Sequence, residues 1–92
     1  MTDIGRRFRE MSELVAKADA FADEFALFVK DANPEAFEVM QSYFDVGEVE
    51  HPVAMAVQSC IRRGVTIPDR LAEGLRMYFP DAAEELPASQ AS

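Results

Sequence analysis

The sequence predicts a small all-α domain, a bundle of three to four helices with a long amphipathic N-terminal helix. Three observations predict it. Apolar residues recur at helical spacing from Ile4 to Val29. Three helix-start signals follow: Asn33-Pro34-Glu35, His51-Pro52 and Thr66-Ile67-Pro68-Asp69. Nowhere does a run of alternating β-branched or aromatic residues stand out as a strand.

The first helix is expected from about residue 3 to 31, roughly 40 Å at 1.5 Å per residue. Ile4, Met11, Ala18 and Phe25 recur every seven residues. Leu14, Phe21 and Phe28 form a second row, with Arg7 as its polar member, and Phe8, Val15, Ala22 and Val29 a third. The rows are adjacent on a helix and make one broad apolar stripe. The opposite side carries Arg9, Ser12, Glu13, Asp19 and Asp23. Arg6–Glu10, Arg9–Glu13 and Glu13–Lys17 are favourable pairs four residues apart. Thr2 or Asp3 can cap the start, and neither Gly nor Pro falls between Arg6 and Asn33.

Asn33 supplies a cap, Pro34 a first helical residue and Glu35 an acid beside the positive dipole end. The second helix is expected to reach Phe44, with Phe37, Met40 and Phe44 on one face. Asp45–Glu50 reads as an acidic loop. His51-Pro52 opens a third helix to about Arg63, with Val53, Val57, Cys60 and Ile61 inward and Gly64 as its left-handed end residue. Thr66 is expected to cap the fourth helix, paired with Asp69 as in a capping box. That helix presents Ile67, Leu71, Leu75 and Tyr78 and ends before Pro80. One helical domain is expected over residues 1–81, with 82–92 as a disordered tail.

Composition agrees with a folded chain. Of the 92 residues 49% are hydrophobic, too many for a chain that stays unfolded because it cannot bury enough surface. Cys60 is the single cysteine, so no internal disulfide forms. The start Met1-Thr2-Asp3-Ile4-Gly5-Arg6-Arg7 lacks the apolar run of a signal peptide, no stretch is long and apolar enough to span a membrane, and the cytoplasm is the expected compartment.

The net charge of −8 is segregated. Residues 1–17 carry Asp3, Glu10 and Glu13 against Arg6, Arg7, Arg9 and Lys17, which is +1. Residues 18–50 carry nine carboxylates against Lys30, which is −8. Residues 51–79 sum to +2 and residues 80–92 to −3. Such a field repels free nucleic acid and attracts a basic partner, although a charge run is also what a merely solvated face looks like.

Catalysis finds no constellation. His51 and Cys60 lie nine residues apart on one helical stretch, roughly 13 Å of rise, too far for a nucleophile and its base. Cys60 reads as a small core residue. One His, one Cys and scattered acids give no metal-ligand spacing, and Asp45–Glu50 is too short for a calcium loop. No catalytic residue, metal site or cofactor is expected, and the chain is not read as an enzyme. Gly64-Val65-Thr66 resembles the turn of a helix-turn-helix, but the following helix opens on Asp69 and carries Glu73, which would face phosphates.

The expected function is therefore non-catalytic protein binding, in one of two forms. An acidic inhibitor would occupy the basic nucleic-acid-binding surface of a partner complex; in size and charge, though in no residue motif, the chain is similar to small phage-encoded inhibitors such as anti-CRISPR proteins. Its contacts are expected at Asp19, Asp23 and Glu24 of the first helix and Glu35 and Glu38 of the second. An accessory or adaptor subunit, with a homodimer as its simplest form, would instead use the apolar stripe. A helix-turn-helix nucleic-acid binder stands third. Neither protein-binding form calls for direct contact with nucleic acid or membrane.

Overall fold

A computed structural model describes the backbone of residues 2–86, with side chains from Ser12 onward. Five helices follow one another: α1 (Thr2–Ala32), α2 (Pro34–Phe44), α3 (Glu50–Arg62), α4 (Asp69–Tyr78) and α5 (Pro80–Ala83). No strand occurs among the described residues. The all-α bundle and its long first helix are as the periodicity predicts.

The stripe on α1 becomes the spine of the core, but only along part of its length. Phe21, Ala22, Phe25, Ala26 and Val29 are buried, and Ala18 and Phe28 pack at the edge of the same cluster. They meet Met40 of α2, Val53, Ala56, Val57 and Cys60 of α3, and Leu71, Ala72 and Leu75 of α4. Residues Ser12–Lys17 are all exposed.

α1 packs on α2, α3 and α4, while α5 fastens α4 to α3. Gly74 permits the closest approach: a Cβ there would lie 2.1 Å from Cε1 of Phe21. The Phe21 ring is further enclosed by Phe25, Tyr78 and Phe79, with centroids 6.4, 5.7 and 6.3 Å away.

Asn33 turns the chain from α1 into α2. Its Oδ1 accepts the Ala36 N–H at 3.4 Å, the expected cap. Its Nδ2 donates to the Ser59 hydroxyl of α3 at 2.9 Å, so one fully buried amide ties three helices. Gly47 and Gly64 adopt φ of 83° and 72°, the left-handed region in which glycine meets no Cβ penalty. Gly64 thus ends α3 as expected.

Two expectations need correction. Thr66 does not cap α4: the helix starts at Asp69 after Pro68, with no side-chain cap bond. Proline disfavours the helical region for the residue before it, and Ile67 is drawn fully into the core, so Thr66 sits too far upstream. The tail boundary drawn at 82 falls inside α5. Pro80 starts that turn, Ala82 is buried, and Ala83 and Leu86 pack against the core. Residues 87–92 of the expected tail lie outside the described residues.

Candidate protein-binding surfaces

All five carboxylates expected to contact a partner are exposed: Asp19, Asp23 and Glu24 on α1, Glu35 and Glu38 on α2. Their electrostatic settings differ. Glu24 is paired with Arg70 of α4, and Glu35 with Arg63 at the end of α3. Both face a cation of the bundle itself across a solvent-exposed pair and carry reduced net charge toward a partner. Asp19, Asp23 and Glu38 form no such ion pair with the described residues. The stronger acidic feature is thus the Asp19–Asp23 edge of α1, one helical turn long. Sequence spacing could not reveal the two pairings, because each joins residues 28 or 46 positions apart.

The second surface is the outer part of α1. Its 31 residues span about 46 Å, against a longest molecular dimension of 50 Å. Among the described side chains burial begins at Phe21, with Ala18 at the margin, and the apolar rows run on exposed through Val15 and Leu14. Leu14 is 59% and Val15 57% exposed, each a large apolar side chain on the same face as the core residues. Ile4, Phe8 and Met11 continue those rows in sequence along the helical backbone.

The third feature is a cleft of about 230 Å³ between α2 and α3, lined by Val39, Pro52, Met55, Ala56, Ser59 and Arg62 among others. It is smaller than the roughly 300–1,000 Å³ of typical small-molecule sites. Sequence reasoning missed it because two helices create it where they meet, and no periodicity records that meeting.

Reactive side chains are kept apart. Cys60 is buried, and burial raises its thiol above the ordinary range, opposed by a hydrogen bond from Asn33 and by the Arg63 charge. His51 is exposed at the start of α3, its ring edge-on to Tyr43 at 5.3 Å. No cluster of His, Cys, Asp and Glu fit to hold a metal occurs among the described residues. Nor, among them, is any helix long and apolar enough to cross a membrane. The turn read as helix-turn-helix is a longer connection, residues 63–68. α4 rests on α1 and α5, while α3 rests on α2, α5 and α1, so α3 and α4 do not form the closely packed pair that such a motif uses. The chain matches no protein-family model, no curated protein and no solved structure.

Proposed function

We propose that this chain is a non-catalytic protein-binding domain whose main partner surface is the outer part of α1. One observation carries the reading: the apolar stripe that builds the core continues beyond it, leaving Leu14 and Val15 in water. A contiguous apolar face on a monomer favours association, because covering it removes that area from water. The neighbouring acidic edge, Asp19 and Asp23, adds selectivity for a basic rim on the partner.

A second reading keeps the acidic edge as the principal contact, in an inhibitor that covers a basic nucleic-acid-binding surface. The exposure of Asp19, Asp23 and Glu38 supports it, and the engagement of Glu24 and Glu35 by Arg70 and Arg63 weighs against it. The two readings separate under salt and mutation. Partner capture from cells is to be compared for the native chain, the pair Leu14→Asp with Val15→Asp, and the pair Asp19→Lys with Asp23→Lys. Loss with the first pair and persistence at high salt is the expected result. Loss only with the second pair, together with release at high salt, would transfer the function to the acidic edge. Capture unchanged in both would remove both surfaces.

A further inference from the structure

We infer that the cleft between α2 and α3 binds a small monocarboxylate with a branched or aromatic apolar body. No residue of α1 lines this cleft, so the site stands or falls independently of the α1 face.

The lining changes character along one face of α3. Pro52, Met55 and Ala56 give way to Ser59 and Arg62 at spacings of three and four residues, which keeps them on one side of the helix. Pro52 and Ala56 are buried and Met55 is half-buried, so the first part of the cleft is apolar. Val39 of α2 stands across from them and is 39% exposed. That exposure makes Val39 the wall of a concavity with an apolar floor rather than an isolated surface side chain.

The other end of the cleft has hydrogen-bond donors to spare. Ser59 Oγ accepts from the fully buried Asn33 amide at 2.9 Å, and no hydrogen bond among the described residues uses the Ser59 proton. Arg62 forms no ion pair with the described residues. Arg63 shares its charge with Glu35 across an exposed pair. Arg62, Arg63 and Glu35 together leave the lining at +1 in a chain of −8. This balance suits a single negative charge, because the field of the whole chain repels phosphates and other multiply charged anions. A carboxylate can take two parallel N–H donors from a guanidinium, and the Ser59 hydroxyl offers a third. Size limits the rest of the ligand. A cavity of roughly 150 Å³ accepts benzene. The 230 Å³ here leaves room for a body of that size and its carboxylate, and excludes a nucleotide or a flavin.

NMR titration of the full chain with sodium isocaproate tests this, read at the methyl groups of Val39 and Met55. Saturable shifts are expected there, with a dissociation constant on the order of 1 mM for so few atoms. Isocaproamide keeps the body and loses the charge, while acetate keeps the charge and loses the body. Each should bind at least about tenfold more weakly. Arg62→Gln should weaken isocaproate binding about tenfold. Glu35→Gln should tighten it roughly threefold by freeing Arg63. Both changes affect exposed side chains and should leave the helical spectrum unchanged. Absence of saturable shifts, or isocaproamide binding as well as the acid, overturns the inference. Equal shifts around Arg70, which lies outside the cleft, overturn it as ion pairing at any exposed guanidinium. Shifts with a peptide ending in leucine but none with isocaproate also overturn it, and assign the cleft to a protein chain terminus instead.

Discussion

Replacing Gly74 by alanine sets two known effects against each other, and the geometry decides the sign. Alanine is the better helix former by about 1 kcal/mol, so on propensity alone the substitution in α4 should stabilise. The new methyl, however, would lie 2.1, 2.6 and 2.7 Å from three atoms of the Phe21 ring. Reaching ordinary contact at 3.4 Å requires a displacement of about 1.3 Å between α4 and that ring. The ring has nowhere free to go, since Phe25, Tyr78 and Phe79 stand around it and it is 8% exposed. Overpacking of this kind costs roughly 1–3 kcal/mol. The net expectation is a loss of about 1–2 kcal/mol, or on the order of 4–15 °C in Tm for a domain of this size. Urea denaturation at constant slope measures it. Phe21→Leu in the Gly74→Ala background should recover part of the loss, because the two sites share one contact and their effects are not additive. A Gly74→Ala variant more stable than the native chain would show that α4 does not rest on Phe21, and the packing described here would be wrong.

Other perturbations follow from single contacts. Phe25→Ala removes a fully buried ring and should cost about 3–5 kcal/mol in the same denaturation assay. Asn33→Ala loses the cap of α2 and the bond to Ser59 together, an expected cost of about 1–3 kcal/mol. Arg70→Ala breaks only an exposed pair with Glu24 and should change stability by less than about 1 kcal/mol. The Cys60 thiol is raised in the folded state, so it stays protonated where the unfolded chain would ionise. Its contribution is therefore full below the ordinary thiol range and is lost as pH rises through the folded value. Thiol-reagent kinetics should show Cys60 reacting only through opening of the fold, and a rate equal to that of a free cysteine peptide would contradict its burial.

Local signals were legible where they were chemically self-contained. Asn33-Pro34-Glu35 is a complete helix start within three residues, and α2 begins at Pro34 with the expected cap. Gly64 carries its own conformational reason and ends α3 in the left-handed region. Core membership was legible for Phe21, Phe25, Val53, Val57, Cys60, Leu71 and Leu75, because helical periodicity assigns a face. The misreadings concern competition between neighbouring demands. Thr66 looks like a cap in isolation, but Ile67 is needed in the core and Pro68 forbids an earlier helix. Residues 82–86 looked polar enough for a tail, yet Ala82 and Leu86 are held by contacts with distant helices that composition cannot register. The same limit applied to the acidic surface. Nothing local to Glu24 or Glu35 announces that Arg70 and Arg63 stand opposite.

The mismatch of helix lengths links fold to function. α2, α3 and α4 have 11, 13 and 10 residues, so none is longer than about 20 Å, whereas α1 runs to about 46 Å. No arrangement of three such helices lying along one region of α1 covers it all, and among the described side chains the core ends near Ala18. An amphipathic helix in water is marginal without a surface to pack against, since propensity alone sustains it poorly. A solely structural requirement would be met by a helix beginning near residue 17, with polar residues on any overhang. The sequence instead keeps Leu14 and Val15 in the rows that lead to Phe21, and flanks them with Glu10 and Lys17, charges of opposite sign one helical repeat apart. Under the proposed partner-binding role of α1, covering Leu14 and Val15 with an apolar surface would recover the cost of exposing them.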